Sequence, residues 1–238
     1  MPSVSSWLAP ALTLALIAGA VVLGIRWVQA LPPEDSPFAS LDLERPIGWA
    51  TGMQFAKVRG DPALCAATLA ASRIEVQPLD DTIAGANGQC GYRSAVNVTQ
   101  SAYAYSSPLR VSCPLAAALY VWEREVVAPA AARLESPVAR IELIGTYACR
   151  NVYGRSEGRV SEHATANAAD IAGFRLKNGR VISVLRGWDS AERPDDAAFL
   201  RAVRDGGCPL FQGVLSPEYN AAHRDHFHLD MGPYDICS

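Results

Sequence analysis

The sequence predicts an α+β fold with one helix set apart at its N-terminus, on three observations. Helical and strand-like segments are segregated along the chain and do not alternate as a parallel α/β chain requires. Asn178-Gly179 between two apolar runs is a strong short-range hairpin signal. Trp7 to Ile25 is an uncharged stretch dominated by Leu, Ala, Val and Ile. The 238 residues are 50% hydrophobic and 19% charged, which supplies a packed core and excludes disordered, collagen-like and coiled-coil classes. A net charge of −3 and a pI near 5.8 argue against a nucleic-acid partner bound through a broad basic face.

Residues 1–30 are read as a membrane segment. A helix from Trp7 to Ile25 is about 28 Å long, close to a bilayer core of about 30 Å. Core helices seldom stand at a terminus before a break such as Pro32-Pro33. A retained signal-anchor is favoured because the apolar run exceeds the roughly 7–15 residues of a cleaved signal and no Lys or Arg precedes it. Cleavage after Val28-Gln29-Ala30 stays open. Arg26 gives a contrary positive-inside signal, so orientation rests on the cysteines. Cys65, Cys90, Cys113, Cys149, Cys208 and Cys237 all follow the apolar stretch, and none forms a Cys-x-x-Cys pair. Even, dispersed cysteines behind such a leader read as disulfides in an oxidising compartment. Six allow 15 connectivities. The expectation pairs near neighbours: Cys65 with Cys90, Cys113 with Cys149, and Cys208 with Cys237.

Residues 31–46 read as a Pro-broken linker and 47–238 as one domain. Asp61-Pro62 starts a capped helix. Cys113-Pro114 opens a longer one with Leu115, Leu119, Trp122 and Val126 at helical spacing, kinking or ending near Pro129. Residues 74–112 read as short strands and turns. Strands are expected over Ile141–Tyr147, Asp170–Leu176, Val181–Leu185 and His226–Met231. Asp195-Asp196 caps a helix running to about Asp205.

The histidines number four, and all lie in two acid-bearing clusters: His163 with Asp170, and His223, Asp225, His226 and His228. Histidine plus carboxylate is the ligand set of catalytic zinc, which takes three protein ligands and leaves one position for water. On a straight helix His163 and Asp170 would lie about 10.5 Å apart, so the small residues between them must bend the chain. His226 and His228, at i and i+2 on a strand, share one side, whereas Asp225 points elsewhere unless the strand starts after it.

Ser-x-His-x(6)-Asp followed by a C-terminal His-x-His resembles the LAS group of zinc peptidases. His223-Arg224-Asp225-His226-Phe227-His228 is similar to the His-x-x-His-x-His segment of penicillin-insensitive murein DD-endopeptidases. Over about residues 60–238, cysteines included, the chain resembles the bacterial extensin-like C-terminal family. The resemblance implies a small antiparallel sheet of LAS or hedgehog type carrying Zn2+ on His163, Asp170 and His228. His226 is implied as general base, with Asp225 the rival for that role and His223 polarising the substrate. Arg150 would bind a substrate carboxylate, and Ser161 matches the family's serine. The family's glycine between the first His and the Asp is Ala166 here, which strains the loop if that position needs positive φ. Implied is a zinc metallopeptidase cutting peptidoglycan stem peptides or cross-links, of endopeptidase or carboxypeptidase type. It would stand in the periplasm on the inner membrane, with a regulatory envelope protein as a further partner. A non-catalytic zinc- or peptidoglycan-binding module is the alternative. No Gly-x-Ser-x-Gly is present for a serine hydrolase.

Overall fold

The computed structural model describes residues 5–85 and 87–238, so residues 1–4 of the expected membrane segment lie outside the described residues. Helix α1 (Ser5–Gln29) contains a 20-residue span, Pro10–Gln29, of mean hydropathy 2.1, none of it buried among the described residues. Its length and composition suit a membrane anchor or a signal sequence.

Residues 33–35 form a single 3-10 turn. Part of the segment read as linker belongs to the core: Leu41 and Leu43 are buried, and Glu44 accepts from the Tyr120 hydroxyl at 2.8 Å. Helix α2 (Thr51–Gly60) then meets α3 (Pro62–Ala70), where Asp61 caps as expected, accepting from the Ala63 and Leu64 amides at 3.0 Å.

Six short strands follow: β1 (Glu75–Pro78), β2 (Thr82–Ala84), β3 (Cys90–Tyr92), β4 (Ala95–Gln100), β5 (Ala104–Tyr105) and β6 (Leu109–Ser112). Helix α4 (Cys113–Trp122) is buried on every side, not along one stripe, as befits a central helix. A π-turn over Glu123–Val127 opens the ladder just before Pro129, so the chain passes that ring and continues as α5 (Ala128–Ala131). Trp122 anchors the core against Phe174 and Phe211, and its indole N–H donates to the Val203 carbonyl at 2.8 Å.

The remaining elements are β7 (Val138–Gly145), β8 (Ala168–Leu176), β9 (Val181–Ser183), α6 (Val184–Gly187), α7 (Pro194–Gly207), β10 (Gly213–Leu215), β11 (Phe227–Asp230) and β12 (Ile236–Cys237). A seven-stranded sheet runs β12-β10-β11-β8-β7-β5, with β9 also paired to β8. A three-stranded sheet (β1-β4-β6) and the β2-β3 pair complete an α+β fold of small open sheets flanked by helices. The Asn178-Gly179 hairpin forms, with Gly179 at φ +89°. Two local expectations need correction. Residues 184–185 leave the strand for α6. Helix α7 starts at Pro194, and Asp196 is no cap: it is buried and takes the Arg180 guanidinium at 2.6 and 2.8 Å.

The disulfides are Cys65–Cys113, Cys90–Cys149 and Cys208–Cys237. The last matches expectation, while the first four cysteines exchange partners. Packing decides this. Helix α3 lies on the start of α4, bringing the Cys65 and Cys113 Cα atoms to 6.1 Å, and β3 brings Cys90 to 5.4 Å from Cys149 after β7. Loop-closure entropy grows slowly with length, so sequence proximity is a weak guide to pairing.

Candidate metal centre

Strands β8 and β11 pair antiparallel with His228 directly opposite Asp170, which puts both on one face of the sheet. His163 arrives from a 3-10 turn, Glu162–Thr165, whose preceding Ser161 accepts from the His163 amide at 3.4 Å. The chain then reverses at Ala166, which adopts the left-handed conformation (φ 56°, ψ 24°) and is wholly buried. This is the bend that the spacing demanded, and the strain expected of alanine there is present. The Ser112 amide holds the turn by donating to the Ala166 carbonyl at 2.7 Å, and Asn167 donates to the Glu162 carboxylate at 2.8 Å.

His163, Asp170 and His228 converge, with one ligand atom from each lying within 4.8 Å of the others. His163 Nε2 is 3.1 Å from His228 Nδ1 and 3.1 Å from Asp170 Oδ2, and His228 Nδ1 is 3.0 Å from Asp170 Oδ1. Tetrahedral zinc with bonds of 2.0–2.1 Å has ligand–ligand edges of about 3.3 Å, which this triangle nearly matches. The far side of each ring is tied down. His163 Nδ1 donates to the Thr146 carbonyl at 2.6 Å, and His228 Nε2 donates to Asp230 Oδ2 at 2.8 Å. Those bonds leave lone pairs on His163 Nε2 and His228 Nδ1, facing each other and a carboxylate. Three converging acceptors suit a metal cation or a proton between them, and fixed outer nitrogens are the support that metal-binding histidines use. The residues fit zinc.

With no metal bound, a proton would take the cation's place. Burial alone would raise the Asp170 carboxyl, but hydrogen bonds from His163 and His228 outweigh it and hold the group well below the usual carboxylate range. Burial pulls His228 down, yet its bonds to Asp170 and Asp230 raise it to about 9. A proton on His228 is the alternative partner for the converging acceptors.

Three further residues of the C-terminal cluster border the triangle. His226 directs Nε2 towards Asp170 Oδ1 at 3.6 Å, while its Nδ1 donates to Asp225 Oδ1 at 2.9 Å. The two rivals for one role are therefore placed in series, with Asp225 behind His226. That bond, ahead of burial, keeps Asp225 below its ordinary value. His223 packs 5.3 Å from the His226 ring and 5.8 Å from that of His228, and its Nδ1 donates to Asn220 Oδ1 at 2.9 Å. Burial, then the neighbouring His226 and His228, lower His223 to about 4, so it is neutral at neutral pH. A cleft of ≈ 420 Å³ opens over the triangle, walled by Arg150, Tyr153 and Arg159. Arg150 is exposed on that wall, and Ser161 also borders the cleft while capping the turn that carries His163.

Sequence reading missed the supporting residues. Asp230, fully buried, accepts from His228, from the Gly232 amide at 2.7 Å and from the Tyr234 hydroxyl at 2.7 Å. Burial, with that bond to Asp230, raises the Tyr234 hydroxyl well above its usual value. Asp230 extends the alternation His226, His228 by one more step, which was the available signal. Gly213, opposite Asp230 across β10–β11, is required there because a Cβ would lie 2.2 Å from the Asp230 carboxylate. Asn220 joins His223 to the cleft wall by donating to the Tyr153 hydroxyl at 2.9 Å.

A family model described as Extensin-like protein C-terminus matches residues 63–238. The chain belongs to the extensin-like C-terminal family. The matched region of this extensin-like chain contains the whole triangle, the C-terminal histidines and all six cysteines. No curated protein and no solved structure matches it.

Proposed function

We propose that this extensin-like protein is a zinc-dependent peptidase of the cell envelope that hydrolyses amide bonds in peptidoglycan stem peptides or cross-links. The observation that carries the reading is the convergence of His163 Nε2, His228 Nδ1 and Asp170 beneath an open cleft, with both outer ring nitrogens fixed and His226 at the edge. Bound there, zinc supplies Lewis acidity and brings the ionisation of water near pH 7.

The chain's own residues divide the remaining work. His226 Nε2 takes the proton of the attacking water and returns it to the leaving amine. Asp225 fixes the His226 tautomer and offsets the charge gained when the ring protonates. His223, whose one proton is held by Asn220, keeps a bare Nε2 and serves as an acceptor for a peptide N–H. Arg150 on the wall meets a carboxylate of the peptide through its two-pronged guanidinium. The wall substrate is supported by the motif resemblance to murein endopeptidases. Periplasmic placement on the inner membrane is supported by α1 and by three disulfides, which persist in oxidising compartments.

The test is a digest of purified peptidoglycan by the zinc-loaded full chain, with soluble peptides analysed by mass. Release by the parent, and loss of release with zinc retained in His226→Ala, is the expected result. No release by a fully loaded parent would leave a zinc-binding envelope module.

A further inference from the structure

Helix α2 shows water a face that water does not ordinarily select. Its inner side, Thr51, Gln54, Phe55 and Val58, is buried. Outward, Trp49 in the turn just ahead of the helix is followed by Gly52, Met53 and Ala56 before the first charge, Lys57. Outward faces of soluble helices carry mostly polar and charged residues. Here Trp49 is 59% exposed and Met53 44%, and Phe38 nearby is 78% exposed.

These side chains belong to one rigid edge. Gln54 Nε2 donates to the Pro33 and Ser36 carbonyls at 2.8 and 2.9 Å. Lys57 Nζ donates to the Pro37 carbonyl at 2.6 Å, and the Trp49 amide to Asp35 at 3.0 Å. Residues 33–37 are thereby strapped to α2, and Phe38 is carried beside it. The strap begins four residues after Gln29, where the apolar span ends. Four residues reach at most about 14 Å, so this edge cannot stand far from the bilayer that α1 enters. Tryptophan favours the headgroup level, where its amphipathic ring finds both apolar and polar surroundings, and apolar side chains beside it reach the acyl boundary.

We propose that the outer face of α2, with Phe38, lies on the surface of the membrane that α1 crosses, seating Phe38, Trp49 and Met53 at the boundary between headgroups and acyl chains. The inference rests on reading α1 as a retained anchor. It makes the anchor a two-point attachment, a span plus a seated edge, which fixes the domain's height and tilt over the bilayer where a span alone would leave it free to swing.

The experiment places the full chain in phospholipid vesicles whose acyl chains carry bromine near the headgroup, and reads tryptophan quenching. Subtracting the Trp49→Phe variant isolates Trp49 from Trp7 and Trp27 near the span and from the buried Trp122 and Trp188. Alkaline extraction of the same vesicles reports on the anchor separately. A retained chain whose Trp49 emission is quenched, with quenching reduced several-fold by Phe38→Ser and Met53→Ser together, is the expected result. A retained chain whose Trp49 emission is the same with and without bromine overturns the proposal alone and leaves the face to solvent or to a second copy. A chain released by alkali overturns the anchor reading and the proposal with it.

Discussion

Replacing Asp230 by Asn removes a charge and one acceptor from behind His228 while hardly altering side-chain volume. Asp230 accepts three hydrogen bonds at 2.7–2.8 Å, from His228, Gly232 and Tyr234, and is fully buried. The amide of Asn keeps an oxygen for the Gly232 N–H but turns donors towards His228 Nε2–H or the Tyr234 hydroxyl. The imidazole then moves its proton to Nδ1, the atom that faces His163 and Asp170. Losing such an outer partner weakens metal binding by about 10–100-fold, or roughly 1.4–2.7 kcal/mol. Competition of the purified chain against a chromophoric zinc chelator, at fixed pH and salt, reads this directly. Tyr234→Phe is the control. It removes one hydrogen bond worth about 1 kcal/mol from the far side of Asp230, so less than a tenfold loss is expected. An Asp230→Asn chain that is folded and binds zinc within twofold of the parent would refute the assignment of His228 Nδ1 as the donor atom.

Other expectations address the fold around the centre. Glu123 is buried, and burial raises its carboxyl to about 7 despite hydrogen bonds from Ser101, Tyr105 and the Tyr103 amide. The folded state therefore holds this proton above the pH at which the unfolded chain loses it. Glu123's contribution to stability is full below about pH 4.5 and declines by about 3 kcal/mol as pH rises through 7. Urea unfolding of Glu123→Gln at pH 5 and pH 8 should lack that decline; an unchanged slope would remove Glu123 as its source. Ala166→Val places a β-branched residue at φ 56° in a filled site and should cost about 2–4 kcal/mol in thermal unfolding, with zinc lost in parallel. Ala166→Gly should shift stability by under about 1 kcal/mol and keep zinc. Non-reducing peptide maps should link Cys65 to Cys113 and Cys90 to Cys149. The Cys65→Ser/Cys113→Ser pair should cost about 2–5 kcal/mol.

The residues that meet at the centre were legible because their chemistry is in the side chain and their spacing is regular. His228 and Asp170 fall opposite one another in register, and His226 precedes its strand by a single residue. The supports were not legible in the same way. The Thr146 acceptor is a backbone carbonyl, which no residue type marks, and Gly213 matters through the carboxylate across the sheet. Asp225 and His226 read as competitors because strand alternation favours His226 while the motif resemblance puts an acidic base at Asp225. The chain is not yet a strand at Asp225, and the 2.9 Å bond makes them partners. The disulfide exchange has the same origin, since which helix lies on which is a property of the packed chain.

Metal content tests the central claim most directly. The full chain, purified with its disulfides intact, should carry about one zinc per molecule, as a three-ligand site requires. The His163→Ala/His228→Ala chain should carry none while keeping all three disulfides. A parent that takes up no zinc at neutral pH, even after reconstitution, would contradict the account and reduce the His/Asp cluster to a hydrogen-bond network within an extensin-like domain.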